Sequence, residues 1–409
     1  MSYRSQFARK LFKEIFTEKK TPEKDKWVEK IEKKRSRVLV QIRGRGICSE
    51  KGREALEKEL KLPSYSFKYV PFVAVECGGR EEEKICSYLK QRLSWAGHIS
   101  PARVLYIPEL IQGGFPVSVK LNSRPGSAWN LNNIGADIAN KTTQGKGVKV
   151  GIIDTGVDYT HEEVKNRFGG NKGYNFVEDN ADPYDGNGHG THVAGTVAGE
   201  ETGVAPACSL YAIKVLSDEG YGSEADVLRG IEWAIDNKME VINMSLGSSQ
   251  YSYFEDQVIQ EAVKRGITVV AAAGNEYYGP SYPAALNNVV AVAAVDRNNE
   301  HAEFSNIYET NDISAPGVSI YSSVPGGYQE FSGTSMATPH VTGSLALGKS
   351  VKQGSPKELE ERLKSSADEL GSSLDPENRK KYGVGLVRAD KLVSGKASQQ
   401  EWVQELRLG

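Results

Sequence analysis

At 409 residues the chain is too long for one small core, so two domains are the natural expectation. A formal net charge of -2 gives no electrostatic reason to expect nucleic acid as partner, and 39% hydrophobic with 25% charged residues describes an ordinary soluble globular protein. Cys48, Cys77, Cys86 and Cys208 include no CxxC pair, which argues against a disulfide framework or zinc site and for thiols in a reducing compartment.

Residues 1–36 form a basic extension with Phe7, Leu11, Phe12, Ile15 and Phe16 at helical spacing. An amphipathic helix docked on protein or frayed in solvent is favoured here over one lying on a membrane. The extension lacks the apolar run and small-residue cleavage site of a signal peptide, so a cytoplasmic location is expected. No stretch reaches the roughly 18 apolar residues of a membrane span, so no transmembrane segment is expected.

Residues 37–107 have a different texture. The pattern predicts a strand at 37–42, a helix over 49–60, and two strands within 65–76 broken at Pro71. A helix over 81–93 follows, with Ile85, Leu89 and Leu93 on one face, and then a strand at 103–107. Strand, helix, strand, strand, helix, strand is the order of a small α+β, ferredoxin-like domain, which by itself says nothing about function.

Residues 108–125 carry Gly113, Gly114, Pro116, Asn122, Ser123, Arg124 and Pro125 and read as a linker. Beyond it, 126–393 alternates apolar strands with helices. The strands are 147–153, 210–215, 241–245, 268–273 and 289–295; the helices are 224–237, 254–264 and 338–350. This is the pattern of an α/β domain whose mostly parallel sheet is covered by helices on both faces. In such sheets chemistry gathers at the carboxyl ends of the strands. A short polar tail, 394–409, ends the chain.

Three stretches carry chemistry. Asp154 ends the first of the long strands, ahead of Thr155-Gly156, and alone reads as well as a turn-capping residue. Asp185-Gly-Asn-Gly-His189-Gly-Thr-His192 sets two histidines three apart, but without HExxH spacing and among glycines that favour a turn over zinc ligation. Gly333-Thr-Ser335-Met-Ala-Thr-Pro339 sets a serine in a tight turn at a helix start, where the dipole favours developing negative charge. A serine hydroxyl needs a base within hydrogen-bond reach, histidine is suited to that role, and a carboxylate orients the histidine.

Together these motifs resemble those of the subtilisin-like serine proteases over about 129–391, a family for which the chain order Asp, His, Ser is already known. The resemblance implies Asp154 as orienting acid, His189 as general base and acid, Ser335 as nucleophile and His192 as structural. Asn275, after the strand 268–273, resembles the asparagine that stabilises the oxyanion together with the Ser335 N–H. Ser245-Leu246-Gly247 and Tyr221-Gly222 resemble two edges that pair with an extended protein or peptide substrate. Ala273 and Gly274 would line an S1 cleft with room for an apolar P1 side chain, and no acidic residue is apparent there.

The chemistry needs no cofactor. The family's strong calcium loop is shortened here at Glu200–Gly203, with Glu163 in place of the usual aspartate; a weak structural Ca2+ site at Asp296, otherwise a turn residue, is the remaining metal candidate. The 37–107 domain resembles the family's propeptide, an intramolecular inhibitor and chaperone, with the autocleavage site between Pro108 and Arg124. A silent binding protein on this fold would lack one of Asp154, His189, Asn275 or Ser335. An esterase would carry Gly-x-Ser-x-Gly with acid and histidine after the serine. A serine endopeptidase made as a self-inhibited zymogen is the expectation.

Overall fold

The computed structural model describes residues 37–42, 53, 54, 58, 64–76, 82–92, 96–107, 128–371 and 375–395. The helix expected in 1–36, most of the helix over 49–60, the linker 108–125 and nearly all of the tail 394–409 lie outside the described residues. Two compact units result: the described parts of Met1–Tyr65 with Val73–Ala102, and Ser66–Phe72 with Arg103 onward.

The smaller unit takes β1 (Arg37–Ile42), β2 (Ser64–Ser66), β3 (Phe72–Glu76), α1 (Glu82–Arg92) and β4 (Ala96–Pro101), in sheet order β2-β3-β1-β4. Alternate residues Val38, Val40, Val73 and Val75 turn to one face, where Cys86 and Leu89 of α1 cover them. The last strand of this sheet is β4, antiparallel to β1, and not the expected 103–107. Gly97 and Pro101, both poor strand formers, hide β4 in the sequence. The strand signal at 103–107 is real as β5 (Val104–Tyr106), but it pairs within the larger unit.

That unit continues with two short helices, α2 (Trp129–Asn133) and α3 (Ala136–Ala139), then β6 (Lys149–Asp154), β7 (Gly173–Asn175) and α4 (His189–Ala198). Next come β8 (Ser209–Lys214), β9 (Tyr221–Ser223), α5 (Glu224–Asp236), β10 (Val241–Met244) and α6 (Tyr253–Lys264). The remainder is β11 (Thr268–Ala272), β12 (Val289–Val295), β13 (Ile313–Pro316), the hairpin β14 (Ile320–Val324) and β15 (Gly327–Phe331), α7 (Thr334–Val351), α8 (Pro356–Ser366), α9 (Pro376–Tyr382) and α10 (Ala389–Ser394).

Seven strands form one sheet in the order β13-β12-β11-β10-β6-β8-β7, every pair parallel. β6, β10, β11 and β12 are buried almost throughout, which explains their near-continuous apolar sequence, and helices flank the sheet. The chain leaves β6 for β7 and β8 on one side and returns to β10 on the other, so the carboxyl end of β6 is a switch point of the topology. Asp154 stands there. Among the described residues no helix is long and apolar enough to cross a membrane.

Candidate active site

The first part of the site is a buried acid and base. Asp154 ends β6 at 0% exposure, and its Oδ1 lies 2.8 Å from His189 Nδ1 at the start of α4, which packs on β6. A carboxylate only accepts, so Nδ1 holds the proton and Nε2 presents its lone pair. The approach requires glycine at the next position: a Cβ on Gly190 would stand 2.1 Å from the Gly156 carbonyl oxygen. Asp185, fully buried, fixes the turn. Its Oδ1 accepts the N–H groups of Asn187 (2.9 Å) and Gly188 (3.0 Å), and its Oδ2 those of Thr191 N–H (2.9 Å) and Oγ1–H (2.6 Å).

Ser335 is the second residue of α7, which packs against α4 and begins four residues earlier than the expected 338. Pro339 lies inside that helix and has no N–H to give the Ser335 carbonyl. Ser245 Oγ donates to that oxygen instead at 2.9 Å, while Ser335 Oγ reaches the Ser245 carbonyl at 3.4 Å. The serine turn is thus tied to the end of β10.

Asn275 follows β11. Its Oδ1 accepts both Thr334 N–H (3.0 Å) and Thr334 Oγ1–H (2.8 Å), which commits the oxygen and leaves the amide NH2 as its donor end. Gly274 N–H donates to Thr334 Oγ1 at 3.2 Å, so one threonine orders both walls beside the serine. Thr334 and Asp185 lie inside the serine and histidine motifs, but neither carries a signal of its own in the sequence. A Cβ on Gly274 would stand 2.4 Å from Asn306 Nδ2 and 2.6 Å from Glu276 Oε2, so the position requires glycine.

Tyr221, Gly222 and Gly247 border a track already occupied by the chain itself. β5 runs antiparallel to β9, with Leu105 opposite Gly222 and Tyr106 opposite Tyr221. On its other side, Tyr106 N–H donates to the Gly247 carbonyl (3.2 Å) and the Tyr106 carbonyl accepts from Gly247 N–H (3.0 Å); Ile107 N–H donates to Gly220 O at 3.2 Å. Leu246 is buried beside it. Also in this unit, the loop Ser66–Phe72 meets α5 and α6. Lys68 and Tyr69 N–H donate to the Glu232 carboxylate (3.0 and 2.7 Å), and the Phe72 ring lies edge-on to Phe254 at 4.8 Å.

The calcium position implied by the resemblance does not fit the residues present. Glu163 Oε2 accepts the N–H groups of Glu201 (3.0 Å) and Thr202 (3.1 Å) and the Thr202 hydroxyl (3.0 Å). Three donors aimed at one carboxylate oxygen take up the side chain that would otherwise face a cation. Asp296 Oδ1 accepts Asn298 and Glu300 N–H at 2.8 and 2.9 Å, the geometry of a turn. Among the described residues no three His, Cys, Asp or Glu side chains gather as a metal group.

Two other histidines are structural and acid-sensitive. His192 Nε2 bonds the Ile320 carbonyl at 2.8 Å and its ring stacks on Phe331. His340 Nδ1 donates to Met336 O at 2.8 Å, so Nε2 accepts from Asn130 Nδ2 at 2.8 Å. Burial pulls them down to about 3 and about 4 respectively. Free histidine titrates near 6.5, so the unfolded chain binds protons that the native one refuses, and stability falls as pH drops from about 6.5 toward 4. Each contributes a loss of about 3 kcal/mol across that window. Glu255, pushed up to about 7, binds a proton in the native chain over the same window and offsets about one of the two losses, so the urea midpoint of the Ser335→Ala chain is expected to fall only moderately below pH 6.5; a midpoint that rises toward pH 4.5 contradicts it.

The model of the subtilase family matches residues 145–385. The alkaline protease of Shouchella clausii is 39% identical over 349 residues, 82% of this chain and 83% of that protein. Subtilisin Savinase of Lederbergia lenta is 44% identical over 274 residues, 64% of this chain and 97% of that protein. The crystal structure of a cold adapted subtilisin-like serine proteinase superposes with a TM-score of 0.55 at 38% identity, over 60% of this chain and 88% of that one.

Proposed function

Because this chain belongs to the subtilase family of serine endopeptidases, we propose that it cleaves peptide bonds through an acyl-enzyme on Ser335 and is made as a self-inhibited zymogen. His189 Nε2 takes the Ser335 proton as Oγ attacks the scissile carbonyl, and Asp154 balances the imidazolium that forms. The negative oxygen of the tetrahedral intermediate is met by the Asn275 amide and the Ser335 N–H. His189 then gives its proton to the leaving amine, and water repeats the sequence to release the acid.

One observation carries the self-inhibited part: β5 is held by main-chain bonds between Tyr221–Ser223 and Gly247. Continuing that antiparallel register two residues past the Tyr106–Gly247 pair reaches Ser245, whose carbonyl is the neighbour of Ser335 Oγ. A substrate in this register has its P1 residue opposite Ser245 and P2, P3 and P4 where Ile107, Tyr106 and Leu105 now lie. Main-chain pairing of this kind gives affinity without demanding a sequence, as a general endopeptidase needs. The loop Ser66–Phe72 on α5 and α6 supports a propeptide role for 37–107.

The test is intact mass against time for the full chain, with a serine-directed phosphonate mapped by peptide mass. A phosphonate on Ser335 and loss of an N-terminal fragment ending between 108 and 124 are expected. No adduct and no hydrolysis of casein leave a silent binding protein instead. Asn275→Ala removes one oxyanion donor and is expected to lower kcat by about 10²–10³-fold with little change in KM, a magnitude taken from a measured relative, subtilisin. An unchanged kcat assigns the oxyanion to other donors.

A further inference from the structure

Arg103 enters the larger unit two residues ahead of Leu105, and alternate residues of a strand share a face. Leu105 and Ile107 on that face are buried at 0% and 4%. Arg103 is the third member, its side chain only 10% exposed. It is met by two carboxylates more deeply buried still, Glu224 (1%) from α5 and Glu255 (0%) from α6. Arg103 Nη2 lies 2.8 Å from Glu255 Oε2 and 3.3 Å from Glu224 Oε1. The main chain is locked in the same place: Arg103 N–H donates to Glu224 Oε2 at 2.9 Å, and Glu224 N–H donates to Arg103 O at 2.8 Å.

Two buried carboxylates facing one guanidinium favour a cationic occupant over an apolar one. Burial and the neighbouring Glu224 push the Glu255 carboxyl up to about 7 despite Arg103, with Asp256 adding in the same direction. Each glutamate lies in the first turn of its helix, and the positive end of the dipole there favours the anion. The site is therefore built to hold a cationic side chain at one register position of the substrate track, six residues before the bond to be cut.

We infer that Glu224 and Glu255 form an S6 subsite that selects substrates with arginine at P6, the position Arg103 fills in the uncleaved chain. The inference rests on the substrate register proposed above. Arginine suits the place better than lysine because its planar fork reaches both carboxylates at once.

The experiment uses the full chain incubated until its intact mass is constant, so that any self-processing is complete, with active sites counted by phosphonate titration. Three peptides are compared, identical from P5 onward with leucine at P4 and carrying arginine, alanine or glutamate at P6. The arginine peptide is expected to exceed alanine in kcat/KM by about tenfold, with the gain in KM, and glutamate to fall below alanine. In a Glu224→Gln, Glu255→Gln double variant the arginine-to-alanine ratio is expected to collapse to about one. Titratable sites with equal rates on all three peptides overturn the subsite and leave the protease reading intact. A wild-type preference that survives in the double variant overturns the assignment to these glutamates. No titratable sites and no cleavage of any peptide mean that the protease reading itself has failed, and the subsite falls with it.

Discussion

Ser335→Ala is expected to lower kcat on casein or a peptide by about 10⁶-fold while the chain stays folded and uncut, a magnitude measured in subtilisin. The size of the loss follows from what the hydroxyl does: without Oγ no acyl-enzyme forms, and only water delivered near the oxyanion donors remains as nucleophile. Stability is affected far less. The Ser335 side chain is fully buried, but its hydrogen bond to Ser245 O is long at 3.4 Å, and alanine suits a first helical turn. The bonds that hold the turn belong to Ser245 Oγ and Thr334 and survive the substitution. Phosphonate labelling, casein hydrolysis and intact mass over a day read the result. A variant that keeps cutting its own 108–124 segment at the wild-type rate has its nucleophile elsewhere.

The larger unit was legible because burial on both faces writes long apolar runs. Predicted strands 147–153, 241–245, 268–273 and 289–295 fall within one or two residues of β6, β10, β11 and β12. The acid, base and serine were legible through the resemblance of three separated motifs, each at an element boundary with glycine within two residues; Asp154 alone reads as well as a turn residue. What stayed hidden lacked such a signal. β7 has only three residues, β13 and β14 carry serines among their apolar residues, β15 is only partly buried, and β4 is built around Gly97 and Pro101. Main-chain pairing of β5 with β9 depends on no side-chain type, so no pattern announces it.

The functional residues that went unnoticed are those whose partners are remote in sequence. Glu224 and Glu255 read as ordinary acidic residues of helix first turns, which is where solvated glutamates are expected. Only the fold turns both inward onto Arg103, more than a hundred residues away. Glu163 was visible in the sequence as the residue in place of the usual calcium-liganding aspartate, but its bonds from Glu201 and Thr202 appear only in the fold. Asp185 lies just ahead of His189, yet its four accepted bonds to the turn appear only in three dimensions. A buried carboxylate that accepts this many donors is a positioning device for the histidine.

Asp154→Asn tests whether acid, base and nucleophile act as one unit. The Asp154 Oδ1 atom accepts both His189 Nδ1–H at 2.8 Å and Thr155 N–H at 2.7 Å. Asparagine is nearly isosteric, and Thr155 N–H still calls for an oxygen at that point, so the side chain stays where the aspartate was. The charge does not. As Ser335 loses its proton, a positive imidazolium forms in a site from which water is excluded, and a neutral amide cannot balance it. A fall in kcat of about 10⁴-fold is expected with KM nearly unchanged, because Asp154 touches no substrate; removing the corresponding acid of subtilisin costs a similar factor. The double variant with Ser335→Ala is expected to be no slower than Ser335→Ala alone, since the acid has nothing to assist once the hydroxyl is gone. Losses that multiply, giving about 10¹⁰, contradict a shared mechanism, and a KM that rises with an intact kcat moves Asp154 from the chemistry to binding.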